Sequence, residues 1–404
     1  MKNQLTKIFP LADQIGVSAF NFLLVFIPSL VLGTTEFVKF SNIALFVLFI
    51  INASNAVVYQ PYLRFFRKEI WLNSLIIKNI CITLFMLLSI FLIFVLITKE
   101  SYNFSSKLAF YSAIWIILMF ICELIKRYNM LVNKWNLNFY IIISINILTF
   151  LGILIFQPSK AENILLIIDF SLGIILIILF LVKNTYFKFL FLKKRSKNNV
   201  VSSKEFWLFG KNLFGGATAF WFISGGYLLL IGHFLNDTEI GNIRVIQNFF
   251  SGSLIIINTL DNYLLAKNEN FNVVFNKYKK LRFLILIFLA FYSCCVAVAI
   301  HIFYPTNNIS LFLVTMFSLF YIILSNLRLI NSISKTVGSS KDVFISQFLA
   351  CLIYLICIVL ISIAGFKVSS YSLIAIWVPG LLLGYVYSIL NLKSIRKNYK
   401  MLSK

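Results

Sequence analysis

The chain has 404 residues, of which 60% are hydrophobic, 17% aromatic and only 12% charged, and its mean hydropathy is +0.93. That composition leaves too little polar surface to cover a water-soluble body of this size, so a soluble globular protein is excluded. The formal charge of +23 and pI near 9.8 do not point to nucleic acid either, because the sequence predicts no basic domain outside its apolar stretches to carry such a role.

Twelve apolar stretches follow one another at 12–32, 37–60, 72–98, 104–131, 137–156, 162–182, 207–232, 240–266, 279–304, 308–334, 342–364 and 369–391. A helix needs about 20 mostly apolar residues to cross a hydrocarbon core about 30 Å thick. In lipid every backbone N–H and C=O must be satisfied within the segment, so these Ile-, Leu- and Phe-rich runs are predicted as helices despite their strand propensity. The expected fold class is an all-α polytopic membrane protein with twelve transmembrane helices. The first span begins early and lacks a small-residue cleavage site, so it is expected to stay in the protein.

Cationic residues alternate from loop to loop. With Met1 on the cytoplasmic side, 27 of the 36 Lys and Arg fall on inner segments, including the run from Lys183 to Lys204. Lys126, Arg127 and Lys335 are counted among those inner residues. Only Lys99, Lys107, Lys160 and Lys367 fall on outer loops. The asymmetry predicts both termini inside a bacterial cell membrane, and the excess charge reads as topology plus attraction to anionic lipid head groups.

The longest inner loop, Lys183 to Phe206, separates spans six and seven and divides the chain into two six-helix lobes, 1–200 and 201–404. An offset of 203 residues lays Leu32-Gly33-Thr34-Thr35-Glu36-Phe37 over Leu235-Asn236-Asp237-Thr238-Glu239-Ile240, and Asn55 over Asn258. With an even number of crossings in each lobe, the two copies would have the same orientation, related by an axis along the membrane normal. Gly210, Gly215, Gly216, Gly225, Gly226 and Gly232 crowd span seven, which suits either a bend at a moving interface or close static packing. Pro28 and Pro379 each remove a helical hydrogen bond and are expected to kink spans one and twelve. The six cysteines, Cys81, Cys122, Cys294, Cys295, Cys351 and Cys357, show no metal or disulfide spacing and read as small core residues.

Ionisable groups inside the spans are costly and therefore functional candidates. Lys211 lies near the inner end of span seven, while Lys39 and Arg244 lie about a turn inside the outer ends of spans two and eight. The last two follow the repeated turn at equivalent places, and two cations facing one another across a lobe interface would bind phosphate or pyrophosphate. Snorkelling to the interface is the alternative for all three. Lys78 and Arg328 sit about two turns from the inner ends of spans three and ten, at a depth from which they either line the cavity or snorkel to the interface. Of the acids, Asp13 opens span one, Glu123 lies in span four, Asp169 in span six and Asp261 in span eight. Each is a candidate for binding a coupling proton or sodium ion, or simply for pairing with a cation, as Glu123 would with Lys126 or Arg127. P-loop, dinucleotide, GxSxG and HExxH signatures are absent, so no enzymatic activity and no cofactor is expected.

Two segments carry a resemblance. Leu11-Ala12-Asp13-Gln14-Ile15-Gly16 with Leu32-Gly33 and Glu36-Phe37, and Phe209-Gly210-Lys211 with Gly241-Asn242-Ile243-Arg244-Val245-Ile246-Gln247-Asn248 and Leu260-Asp261-Asn262, resemble bacterial polysaccharide-repeat flippases of the Wzx type. These belong to the multidrug/oligosaccharidyl-lipid/polysaccharide exporter superfamily. The resemblance implies a MATE-like fold of two six-helix lobes. It also implies transfer of an undecaprenyl-pyrophosphate-linked oligosaccharide, of O-antigen or capsule type, from the inner to the outer leaflet by alternating access. Polysaccharide polymerase and chain-length proteins are the partners implied, and Arg244 is the motif arginine. The chain has Val38 where the family has glycine after the first outer turn, whereas the second lobe keeps Gly241. A cation antiporter of the related multidrug type is the alternative and wants acidic residues to dominate the cavity. A membrane glycosyltransferase or polymerase wants a large outer loop or a carboxylate cluster, and every outer loop here is short.

Overall fold

The structure is a computed structural model that describes residues 2–65, 82–86, 88–93, 95, 105–132, 134–182, 203–231, 235–254, 257–259, 261, 271–304, 309–337, 339–365 and 369–402. No strand occurs among them. The helices are α1 (Lys2–Val31), α2 (Thr34–Ser54), α3 (Gln60–Phe65), α4 (Ser106–Leu131), α5 (Trp135–Phe156), α6 (Ala161–Val182), α7 (Ser203–Trp221), α8 (Tyr227–Ile231), α9 (Asp237–Ser251), α10 (Phe271–Phe303), α11 (Leu311–Val337), α12 (Ser340–Ile363) and α13 (Ser370–Leu402). Nine of the described helices are long and apolar enough to cross a membrane. They expose broad apolar faces, with Phe85, Phe156 and Leu181 each 74% exposed. Acyl chains, not water, match surfaces of that kind, and the protein is a multi-pass membrane protein.

Two compact units divide the chain at Lys211 and Asn212. In the first, α1 packs along α5 and α4 along α6. Small residues set those approaches. A Cβ on Gly16 would lie 2.6 Å from the Ile142 side chain, and one on Gly152 would lie 2.7 Å from that of Ile167. Asn146 seals the first contact by donating to the Gly16 carbonyl at 3.0 Å. Trp115, Tyr59, Phe20 and Phe40 fill the core of this unit.

In the second unit α13 packs along both α12 and α11. Gly380 and Gly384, four residues apart on α13, face the backbone carbonyls of Ala350 and Ser346 on α12, and a methyl group at either glycine would strike its carbonyl. This is the small-xxx-small contact by which helices approach closely where no hydrophobic effect draws them together. Gly215 and Gly216 of α7 lie against the Phe344 and Gln347 side chains of α12, so these two serve close packing. Both α1 and α13 run through their prolines as unbroken helices.

Three of the expected continuous spans are interrupted. Span seven ends as α7 at Trp221 and passes through a widened turn, Phe222–Gly226, into α8. Span eight ends as α9 at Ser251 and tightens at Gly252–Leu254. Span two also contains a widened turn, Asn55–Tyr59, before α3. Pro61 accounts for it: proline offers no N–H and its ring crowds the carbonyl four residues earlier, Val57, so the ladder opens there by one residue. Span three lies mostly outside the described residues, which hold a shorter apolar helix over Ile82–Ile93. The expectation that all six cysteines are core residues is corrected for α10, where Cys294 and Cys295 are exposed while Cys122 and Cys351 are buried. Cys81 lies outside the described residues.

Candidate functional site

Charges inside the first unit cluster where α1 meets α4. The Lys126 ammonium lies 3.4 Å from Asp13 and 3.4 Å from Glu123, and Arg127 lies 3.2 Å from Glu123. Asp13, Lys126 and Arg127 are buried. The backbone beneath is fixed by an amide relay in which Asn138 of α5 donates to the Lys126 carbonyl at 2.9 Å and accepts from Asn129 at 2.9 Å. Two carboxylates and two cations make this quartet neutral, which is how buried charge becomes tolerable. Lys126 and Arg127 were counted with an inner loop. Their place is in the membrane-spanning part of α4, and the signal available was Glu123 at helical spacing.

Asp169 of α6 is different. It is buried, and neither carboxylate oxygen has a hydrogen-bond partner among the described residues.

At the other end of this unit, Glu36 accepts from Lys39 at 2.9 Å and from the Ala161 backbone N–H at 3.1 Å. Ser105, the N-cap of α4, donates to Glu162 in the first turn of α6. Lys39 is thus an ion-pair partner of its own helix, with a quarter of its side chain exposed. Lys211 is exposed, and Lys78 lies outside the described residues.

Two groupings occupy the second unit. In α9, an Asn236 and Glu239 capping box starts the helix, each side chain bonding the other's backbone N–H. This satisfies the first orphan donors of α9 and sets its register. One turn later Arg244 is buried, as are Gln247 and Asn248. Gln247 donates to the Tyr227 hydroxyl at 2.9 Å, and the Tyr321 hydroxyl donates to the Gln247 carbonyl at 3.3 Å. Tyr227 lies edge-on to a stack of Tyr354 on Trp377, 3.7 Å apart and 9° from parallel. The motif segment therefore has one polar side set against a packed aromatic wall.

The second grouping lies between α11 and the part of span eight that follows the tightened turn. Lys335 donates to Asp261 at 2.6 Å, and Arg328 donates to the Asn258 side-chain oxygen at 3.0 Å. The Arg328 guanidinium carbon sits 4.0 Å from the Phe220 ring centroid, a cation–π bed. Lys335 was counted as a loop residue, yet it is buried. Its spacing of seven from Arg328 puts both on one face of a helix, and that spacing was the signal.

No protein-family model and no curated protein matches the chain. Solved structures do. A mutant of the Vibrio cholerae MATE transporter VcmN is 10% identical with a TM-score of 0.61, covering 99% of this chain and 98% of that one. The MATE multidrug transporter DinF-BH is 13% identical with a TM-score of 0.62, covering 97% and 96%. An outward-facing multidrug resistance MATE family transporter of the MOP superfamily is 10% identical with a TM-score of 0.60, covering 97% and 96%. The chain has the all-α fold of these transporters over its whole length.

Proposed function

We propose that the protein is a flippase for undecaprenyl-pyrophosphate-linked oligosaccharide, working by alternating access in a bacterial inner membrane with both termini cytoplasmic. The fold shared with MATE transporters and the Wzx-like segment Gly241 to Asn248 support a transporter of this superfamily. The observation that carries the anionic substrate is how the intramembrane carboxylates are used. Asp13, Glu123 and Asp261 are each within ion-pair distance of a lysine or arginine, so they have no charge left for an organic cation. Arg328 has no carboxylate within that distance among the described residues. Sugars and pyrophosphate would travel in a hydrated, cationic path while the polyprenyl tail stays in lipid. Polymerase and chain-length proteins would take the product, and their consumption of it would draw the reaction forward.

Asp169 favours a second reading. A buried carboxylate without a partner is what a cation antiporter, or a flippase coupled to protons or sodium, requires.

Undecaprenyl-linked glycans in cells depleted of the protein, measured by mass spectrometry with a leaflet-accessibility probe, separate the two. One completed oligosaccharide accumulating on the cytoplasmic side supports the flippase. Unchanged lipid-linked glycans together with altered sensitivity to small organic cations overturn it in favour of the antiporter.

A further inference from the structure

Arg328 presents a charge imbalance. A guanidinium has five N–H groups, and one of its Nη2 donors goes to Asn258. Phe220 meets a face of the group and takes up no N–H. The Nε atom is buried and has no hydrogen-bond partner among the described residues. Asp261, the acid of this grouping, is held by Lys335 at 2.6 Å. Among the described residues this grouping holds two cations and one carboxylate, and the half-buried Arg328 has no carboxylate within ion-pair distance. A buried charge of that kind is costly until something pairs it. The Asn258 side-chain oxygen and the Phe220 ring hold the fork in one orientation, and its remaining donors match two oxygens of a tetrahedral anion.

We infer that Arg328, bedded on Phe220 and Asn258, forms an anion subsite in the second lobe that takes a phosphate group of the ligand. The inference rests on the flippase reading for the source of that phosphate, since a phospholipid head group offers the same chemistry. The subsite is separate in sequence and partners from Arg244, whose surroundings are Gln247, Tyr227 and Tyr321.

The test uses the full-length protein in nanodiscs with three probes: undecaprenyl diphosphate, phosphatidylglycerol and inorganic pyrophosphate. Their binding to wild type, Arg328→Gln and Arg328→Lys is followed by native mass spectrometry and ligand-induced melting shifts. The expected result is that Arg328→Gln weakens undecaprenyl diphosphate binding at least tenfold, while Arg328→Lys, which keeps the charge and loses the fork, restores only part of it. Without ligand, Arg328→Gln should melt no lower than wild type, because it removes a charge with no carboxylate partner. A residue with a purely structural role would instead lower the melting temperature and leave affinity per folded molecule unchanged, and that outcome overturns the inference.

The two proposals fail separately. Undecaprenyl diphosphate binding that is tight in wild type and unchanged in both variants removes the subsite and leaves the flippase standing. Binding of phosphatidylglycerol or pyrophosphate that depends on Arg328, with no binding of undecaprenyl diphosphate, keeps the subsite, assigns it to lipid head groups, and removes the flippase.

Discussion

The Glu36 carboxylate accepts the backbone N–H of Ala161, 125 residues further along, at 3.1 Å. It thereby ties the start of α2 to the first residue of α6 and supplies an acceptor where a helix N-terminus has none of its own. The equivalent acid of the second repeat, Glu239, reaches back to Asn236 at the start of its own helix instead. One sequence turn, repeated, thus does inter-helix work in one lobe and local capping in the other.

Removal of the Glu36 carboxylate, as in Glu36→Ala, should cost the first lobe about 1 kcal/mol. Lys39→Met should cost little, because the Glu36–Lys39 pair is partly exposed and such pairs contribute about 0–1 kcal/mol. Fluorescence-detected melting of the two variants in detergent checks the ranking. Equal loss in both would mean that the ion pair, and not the contact with Ala161, holds the turn.

The neutral quartet predicts strong non-additivity. Lys126→Met strands Asp13 and should destabilise by about 3–5 kcal/mol, whereas adding Asp13→Asn to it should recover much of the loss. A double-mutant cycle on melting temperature measures the coupling, and additive effects would show that the 3.4 Å contact carries no energy.

Gly380→Val and Gly384→Val should each fail to yield a stable second lobe, since the new side chains would run into the Ala350 and Ser346 carbonyls. Overpacking costs about 1–3 kcal/mol when side chains can yield, and more when the obstacle is backbone. Gly241→Ala is the informative contrast. A Cβ there meets nothing within 4 Å, so the fold should tolerate it. Any loss of transport would then locate the motif glycine's role in ligand contact or movement.

Asp169→Asn should leave melting temperature equal or higher, because a buried carboxylate with no hydrogen-bond partner among the described residues is replaced by a neutral isostere. If Asp169 is the coupling residue, flipping in proteoliposomes should lose its response to an imposed proton or sodium gradient. Retained gradient dependence would remove Asp169 from that role.

Hydropathy made most membrane crossings legible, as at α5 and α6, where the ends fall within two residues of expectation. It missed where helices leave the membrane. α10 begins at Phe271 and α13 continues to Leu402 because a helix extends readily into water through Lys-rich turns that no hydropathy window scores as apolar. The breaks at Phe222–Gly226 and Gly252–Leu254 were hidden for the opposite reason, since their residues are apolar or small and keep the window high. Among the site residues, depth in sequence did not reveal partnership. Asp13 and Lys126 meet only once the helices of the first unit have assembled, and Lys335 was concealed by its place near a predicted span end, although its register with Arg328 was readable.

A surplus charge in the second lobe also has an electrical meaning. The cell maintains a potential across its membrane, worth about 2.3 kcal/mol per elementary charge for each 100 mV fully traversed. The first lobe's neutral quartet would be indifferent to that field when it moves as a unit. Arg328, with no carboxylate in ion-pair distance among the described residues, would not be, and any motion carrying it toward the negative interior would run downhill. A phosphate seated on the guanidinium cancels that bias, so the empty and loaded carriers would differ in voltage dependence as well as in affinity.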